Sequence, residues 1–160
     1  MATIAHVPSK PVQFSLLRSA KAFIRGLDFL SPVGDLIVRL YLAQVFFQAG
    51  LTKIQSWDST VALFTYEYQV PFLPPEIAAY MGTFTELFFP VLLAVGLAGR
   101  FSAAVLFIFN IIAVVSYPGL MEAGVEQHKV WGILLLMPLL HGPGRLSLDY
   151  FIAKRFFGGV

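Results

Sequence analysis

Four long apolar stretches dominate the sequence and are separated by shorter polar connections. They cover residues 34–54, 77–97, 101–117 and 125–140. Each is close to the ~20 residues that an α-helix needs to cross a hydrocarbon core about 30 Å thick. No Asp, Glu, Lys or Arg lies between Glu86 and Arg100, or between Arg100 and Glu122. The pattern therefore predicts four membrane-spanning helices.

The connections between these stretches are short enough to restrict their arrangement. The link at Gly99–Arg100 is a tight turn, and the link around Pro118 is only slightly longer. Short links place successive helices side by side and antiparallel. The sequence thus predicts an all-α fold, an integral membrane up-down four-helix bundle. We expect residues 34–150 to form this membrane domain and residues 151–160 to form a cytoplasmic tail.

The segment before the first stretch has the pattern of an amphipathic helix that lies on a membrane surface. Apolar residues recur at helical spacing, at Phe14, Leu17, Ala20, Phe23 or Ile24, and Leu27. Charged residues occupy another face, at Arg18, Lys21, Arg25 and Asp28. A basic helix of this kind binds anionic lipid headgroups. We therefore expect residues 1–33 to be a cytoplasmic, basic, interfacial segment that is retained, with a flexible tail as the alternative.

Basic residues are concentrated on the connections that share one side of such a bundle. They are Lys10, Arg18, Lys21 and Arg25 before the first span, Arg100 in the second connection, and Arg145, Lys154 and Arg155 after the fourth span. Connections rich in Lys and Arg stay in the cytoplasm. We expect both termini to be cytoplasmic. The connections at residues 55–76 and 118–127 would then lie outside, where the first one caps the bundle.

The composition agrees with a membrane protein and removes several kinds of chemistry. Hydrophobic residues make up 58% of the chain and charged residues 12%, against about 45–50% and about 25% in soluble domains. The formal net charge is only +2, so nucleic acid is not an expected partner. The chain has no Cys, which excludes disulfides and thiolate-held clusters. Its three His residues show no pairing that would suit a haem.

A few polar side chains fall inside the predicted spans, where hydrocarbon makes them costly unless they have a partner or a function. They are Arg39, Gln44 and Gln48 in the first span, with Lys53 at its end, Glu86 in the second span, and Asn110 in the third. Glu86 lies near the middle of its span. We expect Arg39 to pair with Glu86, while Lys53 could approach Glu86 from the outer side.

Pro90 follows Glu86 by about one helical turn and adds to the polarity of this region. Proline has no N–H, so the Glu86 carbonyl loses its helical donor and the helix should kink. Asn110, with Gln44 or Gln48, could close this polar spot through hydrogen bonds between helices. Two interpretations stay open: a pocket that handles protons or binds a ligand, and a structural clamp that fixes the register of the helices.

Soft donor atoms at the outer side raise the hypothesis of a copper site. Met81, Met121 and His128 could together bind a copper ion, although Met is commonly a flexible core residue and a lone His is commonly just hydrogen-bonded. The aromatic residues of the first outer connection could line a quinone site, or could simply belong to the aromatic belt found at bilayer interfaces. They are Trp57, Tyr66 and Tyr68.

An ordered set of residues resembles the DoxX family. It comprises Arg39-Leu40, Phe46-Phe47, Gly50 and Lys53 in the first span, Glu86 in the second, Gly96 and Gly99-Arg100 at the turn, and the sequence GPGRLSLD at residues 142–149. The resemblance covers residues 33–150, most of the chain. It implies a small four-helix protein of the bacterial inner membrane. The family is named for its similarity to a subunit of thiosulfate:quinone oxidoreductase, and the resemblance does not imply catalysis by this chain alone.

The first outer connection is similar to that of the DoxX-type protein found beside copper-binding, ribosomally made peptides. The similarity rests on residues 55–60, 66–68 and 70–76. It implies a peptide-maturation enzyme pair and a metal-binding peptide as partners. We expect a membrane subunit that anchors or couples a soluble oxidoreductase or such a maturation system, with quinone or copper as the cofactor to consider. Two other functions stay open: a module that binds or exports a small solute or copper, and a purely structural scaffold. Formation of a homo-oligomer also stays open.

Overall fold

The structure, a computed structural model, describes the backbone of residues 11–158 and the side chains of residues 18–156 and 158. It consists of six α-helices. They are α1 (Pro11–Gln55), α2 (Trp57–Tyr66), α3 (Pro75–Val95), α4 (Gly99–Ser116), α5 (Glu122–Leu140) and α6 (Leu148–Phe157). No strand occurs among the described residues, so the predicted all-α fold is confirmed for this part of the chain.

Three helices in the described part of the chain are long and apolar enough to cross a membrane. They are Arg18–Gln55 within α1, Pro75–Val95 and Gly99–Ser116. These helices cover the first three predicted spans. The fourth predicted span coincides with α5, whose first turns contain Glu122, Glu126 and Lys129. Because α5 does not belong to the set of three, the fourth crossing stays a prediction.

The chain divides after Pro32 into two units, although α1 runs through this boundary as one helix. In the first unit, every side chain from Arg18 to Ser31 is exposed. The predicted amphipathic segment is therefore helical where it is described, but it is not a helix separate from the first span. Its binding to a membrane surface stays a prediction. Phe14 and Leu17 lie outside the described side chains, and Lys10 lies outside the described residues.

Two short helices form where the sequence predicted a connection and a tail. α2 occupies the first half of the connection at residues 55–76, and α6 occupies most of the tail. In α2, Thr60 and Phe64 are buried, and this spacing of four residues gives a short helix one inner face. In α6, the Ser147 hydroxyl accepts a hydrogen bond from the Tyr150 backbone N–H, which caps the start of the helix.

Within the second unit, helix packing centres on α3 and α4. Helix α4 packs against α3 and α5, and α2 packs against α3. The main core contains Leu42 and Phe46 of α1, Leu93 of α3, Leu106 of α4 and Leu135 of α5. The second half of α1 thus shares one apolar core with three other helices, and the functional candidates lie around this core.

Gly50 allows α1 and α3 to approach closely. A Cβ atom placed on Gly50 would lie 2.8 Å from two carbons of the Leu87 side chain and 3.0 Å from the Cβ of Glu86. The two distances to Leu87 are shorter than real Cβ contacts and the distance to Glu86 is tighter than most, so a larger residue would require the neighbouring groups to move. Small residues have this role at many helix contacts in membranes. Gly50 therefore marks the point where α1 meets α3 beside Glu86.

We predict that Gly50→Ala lowers the stability of the folded protein by about 1–3 kcal/mol, because the added methyl group overpacks the contact between α1 and α3. Gly34→Ala is the matched control, since Gly34 is also in α1 and nothing lies within 4 Å of its added Cβ. Thermal unfolding in detergent, followed by tryptophan fluorescence, measures both. The control should unfold at or above the wild-type temperature, because Ala favours the helix. Equal midpoints for the two variants would contradict the close contact.

Candidate functional site

A buried ion pair joins α1 to α3. The Lys53 ammonium donates to both carboxylate oxygens of Glu86, at 2.8 Å to Oε1 and 2.6 Å to Oε2. The side chain of Lys53 is 15% exposed and that of Glu86 is 7% exposed. Both charges are therefore largely withdrawn from the surroundings and neutralise each other.

The helices position this pair by simple geometry. Gly50 places the α1 backbone against Glu86, and Lys53 follows Gly50 by about one turn. Helical side chains lean toward the N-terminus of their helix, so the Lys53 side chain reaches back toward the level of Gly50 and meets the carboxylate. The Thr60 hydroxyl of α2 donates to the Lys53 backbone carbonyl at 2.7 Å, which ties the end of α1 to α2.

The predicted pair of Arg39 and Glu86 is wrong. The Arg39 guanidinium donates instead to the backbone carbonyls of Leu93, at 3.2 Å, and Ala94, at 3.0 Å, and also to that of Leu146. Leu93 and Ala94 belong to the last turn of α3, whose carbonyls lack the usual N–H donor four residues further along the chain. This last turn begins seven residues (93 − 86) after Glu86, about 10 Å along the helix. Arg39 therefore caps the negative end of α3.

The turn from α3 to α4 is completed by residues of the predicted motif at 142–149. Gly96 has φ of +69°, and the backbone N–H groups of Gly96 and Leu97 donate to carbonyls of the last turn of α3, as in a Schellman motif. The Asp149 carboxylate accepts from the backbone N–H groups of Ala98 and Gly99, both at 2.8 Å. A carboxylate at the start of α4 satisfies open donors at the positive end of that helix.

Asn110 joins α4 to α5 and is not part of the Glu86 site. Its side-chain Nδ2 donates to the His128 backbone carbonyl at 2.9 Å, and its Oδ1 lies 2.7 Å from His128 Nδ1. Because Oδ1 can only accept, Nδ1 of His128 carries the proton in this pair. Gln44 and Gln48, which were expected to help close the polar spot, are both exposed.

The proposed copper ligands Met81, Met121 and His128 differ in their surroundings. Met81 is 55% exposed and Met121 is 79% exposed, while His128 uses Nδ1 on Asn110. In residues 11–158, no group of three or more His, Asp or Glu side chains is arranged to hold a metal ion. A copper site formed by Met81, Met121 and His128 stays a prediction.

Aromatic side chains pack around Tyr68, which lies in the connection between α2 and α3. The ring centre of Tyr68 lies 4.8 Å from that of Phe64 and 4.9 Å from that of Tyr117. The Tyr117 hydroxyl donates to the Glu67 carboxylate at 3.1 Å, and this hydrogen bond raises the pKa of Tyr117. Burial raises the pKa of Tyr68, and the negative charge of Glu86 raises it further. Tyr68 therefore lies within electrostatic reach of the ion pair.

Thr83 was not among the predicted site residues, yet it is 5% exposed and its hydroxyl has no hydrogen-bond partner among the described residues. Thr83 precedes Glu86 by three residues and so shares its face of α3. The spacing of three residues between Thr83 and Glu86 is the sequence feature that could have identified Thr83. The role of Asp149 as a helix cap was also missed, since a cap from a distant segment leaves no local pattern.

These features define a small all-α membrane protein with a buried ion pair between two of its apolar helices. A model of the DoxX family matches residues 34–118, just over half of the chain, and the chain belongs to this family. An uncharacterised protein of Haemophilus influenzae (strain ATCC 51907 / DSM 11121 / KW20 / Rd) is 33% identical over 132 residues, which cover 78% of this chain and 86% of that protein. No solved structure matches the chain. The family resemblance seen in the sequence is confirmed, while the association with copper-peptide maturation stays a prediction.

We predict that Arg39→Met lowers the stability of the folded protein by about 2–3 kcal/mol, because carbonyls at the buried end of α3 lose their donor. Arg100→Met is the control, since Arg100 is exposed and makes only a long contact of 3.4 Å with the Leu140 carbonyl. Thermal unfolding in detergent compares the two variants. If Arg39→Met unfolds at the same temperature as Arg100→Met, Arg39 does not cap α3.

Proposed function

We propose that this protein is a membrane subunit that anchors a partner enzyme to the bacterial inner membrane and couples it to proton uptake at the Lys53–Glu86 pair. The partner would be a quinone-linked oxidoreductase or a copper-peptide maturation enzyme. Membership of the DoxX family supports the membrane location. The observation that supports the coupling role is the ion pair, which joins two apolar helices with both side chains largely buried.

Stability alone does not account for this pair. Replacing a buried ion pair by apolar residues of similar size is often neutral or stabilising. Ionisable side chains inside membrane helices are costly and commonly mark pathways for protons or ions. Arg39 and Asp149 have helix ends to cap, whereas Lys53 and Glu86 mainly satisfy each other. A proton taken up by Glu86 would neutralise the carboxylate and release the Lys53 ammonium, which gives the pair two distinct states.

We further propose that α5 forms a fourth crossing, which would complete an up-down four-helix bundle. Two features support this arrangement: α5 packs against α4, and its Leu135 belongs to the main core. The basic residues in the N-terminal part of α1, at the start of α4 and after α5 would then share one side. By the positive-inside rule this side is the cytoplasm, so both termini would be cytoplasmic.

The N-terminal part of α1 would act as a membrane-surface segment in this arrangement. Its described side chains are exposed up to Ser31, including Phe23 at 68% and Leu27 at 51%. Arg18, Lys21 and Arg25 lie on a different face from these apolar residues. Contact with an anionic leaflet would cover the apolar face and attract the basic one.

We predict that a soluble oxidoreductase or peptide-maturation enzyme co-purifies with the affinity-tagged full chain. The proposal requires a stable contact, so the partner should be present in a constant ratio to the tagged protein. Native membranes solubilised in mild detergent and analysed by mass spectrometry provide the measurement. Purification of the chain with lipid but without either kind of enzyme would contradict the anchoring role.

We predict that Glu86→Gln lowers the membrane activity of the co-purified enzyme by at least ~10-fold, because a neutral amide cannot exchange the proton. The double variant Lys53→Met with Glu86→Leu separates function from packing. It should remain inserted and as stable as the wild type, yet it should be equally inactive. Full activity of the double variant would show that the pair is only a structural clamp.

A further inference from the structure

One face of α3 presents a line of groups that leads from the preceding connection to the ion pair. Ala79, Thr83 and Glu86 are buried, and their spacing of four and three residues places them on the same face of the helix. Tyr68 packs against the apolar cluster that includes Ala79. The line therefore begins at Tyr68, passes Thr83, and ends at Glu86.

The Thr83 hydroxyl is the unexplained member of this line. Thr83 is 5% exposed, and its Oγ1 has no hydrogen-bond partner within the described part of the chain. Thr65 of α2, by contrast, donates to the Val61 carbonyl one turn earlier, at 2.7 Å. Buried hydroxyls almost always have a partner, either protein or ordered water. The Thr83 hydroxyl is thus suited to hold a water molecule inside the protein.

Among the described residues, the Lys53–Glu86 ion pair has a free hydrogen-bond donor for a water molecule held by the Thr83 hydroxyl. Lys53 has three N–H donors, and the contacts to Oε1 and Oε2 of Glu86 account for two of them. Thr83 and Glu86 are three residues apart, which is a rise of about 4.5 Å. One water can bridge polar groups that are too far apart for a direct hydrogen bond.

The groups around this line determine its polarity. Lys53 faces Glu86 from α1. Tyr68, in the connection before α3, packs against the apolar cluster that contains Ala79, and the charge of Glu86 contributes to raising the pKa of Tyr68. Tyr117 and its partner Glu67 lie beside Tyr68. Proton-exchanging groups therefore extend from the α2 end of the protein toward Glu86. At the other end of α3, Arg39 is bound to backbone carbonyls.

We propose that protons reach Glu86 from the α2 end of the protein, along this face of α3, through water held at Thr83, with Tyr68 at the entrance. This inference rests on the proposed role of Glu86 in proton uptake. The proton comes from water at the α2 end. As Thr83 passes one proton forward it receives another from behind, so the hydroxyl is unchanged. The transferred proton forms an O–H bond on the Glu86 carboxylate, and the Lys53 ammonium loses its anionic partner.

The test uses the full chain in lipid vesicles and a hydrophobic carbodiimide, which couples only to protonated carboxyl groups. The chain has no Cys, so Tyr66→Cys, at a residue that is 85% exposed, reports which side of the vesicle the α2 end faces. Acid is added to one side, and mass spectrometry of the Glu86 peptide follows its labelling over time. We expect rapid labelling when the α2 side is acidified and slow labelling when the other side is acidified.

Thr83→Val should slow the response to acid on the α2 side by at least ~10-fold, because the methyl group cannot relay a proton. Thr83→Ser keeps the hydroxyl and should respond like the wild type. Thr85→Val is the matched control, since Thr85 is half-buried on another face of α3. It should also respond like the wild type.

Equal rates for Thr83→Val and Thr85→Val would overturn the route, and faster labelling from the opposite side would overturn its direction. In both cases Glu86 would still be protonated, so its proposed role in proton uptake would stand. If Glu86 were not labelled from either side while other carboxyl groups in the same sample were, both the route and the proton-uptake role would be wrong. The anchoring role would then depend on co-purification alone.

Discussion

A charge or an open helix end inside an apolar environment must find its partner within the protein, and this constraint organises the second unit of the chain. The Leu93 carbonyl at the end of α3 is enclosed by protein, because Arg39, which binds it, is only 1% exposed, and the first N–H groups of α4 lack helical partners. Arg39 and Asp149 supply the missing partners from distant parts of the sequence. The tight turn between two apolar helices is possible because both helix ends are capped in this way.

The same constraint divides the residues that resemble the DoxX family into two groups. Arg39, Gly96 and the motif at residues 142–149 meet at the turn between α3 and α4, where they complete backbone hydrogen bonds. Gly50, Lys53 and Glu86 meet near the middle of α3. The first group has a structural role, because it completes the backbone hydrogen bonds of the turn between α3 and α4. The second group contains charges that cap no helix end, so it is the better candidate for function.

The apolar runs were sufficient to predict the main helices, because a span needs only length and hydrophobicity. They could not predict which charges meet. Arg39 seemed to need an acidic partner, yet backbone carbonyls at the end of α3 satisfy it, and a sequence pattern does not show which carbonyls lack donors. Asn110 was similarly assigned to the wrong neighbour, because which residues of α4 and α5 face each other depends on how the helices pack. Thr83 could have been found, since its spacing from Glu86 already places both on one face.

Besides the apolar core, helix α1 is therefore attached to α3 by polar groups at two places of different chemistry. The attachment at Arg39 uses a guanidinium, which stays charged at any ordinary pH, and backbone carbonyls, which do not titrate. The attachment at Lys53 depends on a carboxylate that a single proton can neutralise. Gly50 contributes close packing beside Glu86 but has no polar side chain, so the Lys53–Glu86 pair is the polar attachment at that level. A proton on Glu86 would thus remove one attachment while the other remained, and this asymmetry is what would allow a small chemical change to alter the position of α1.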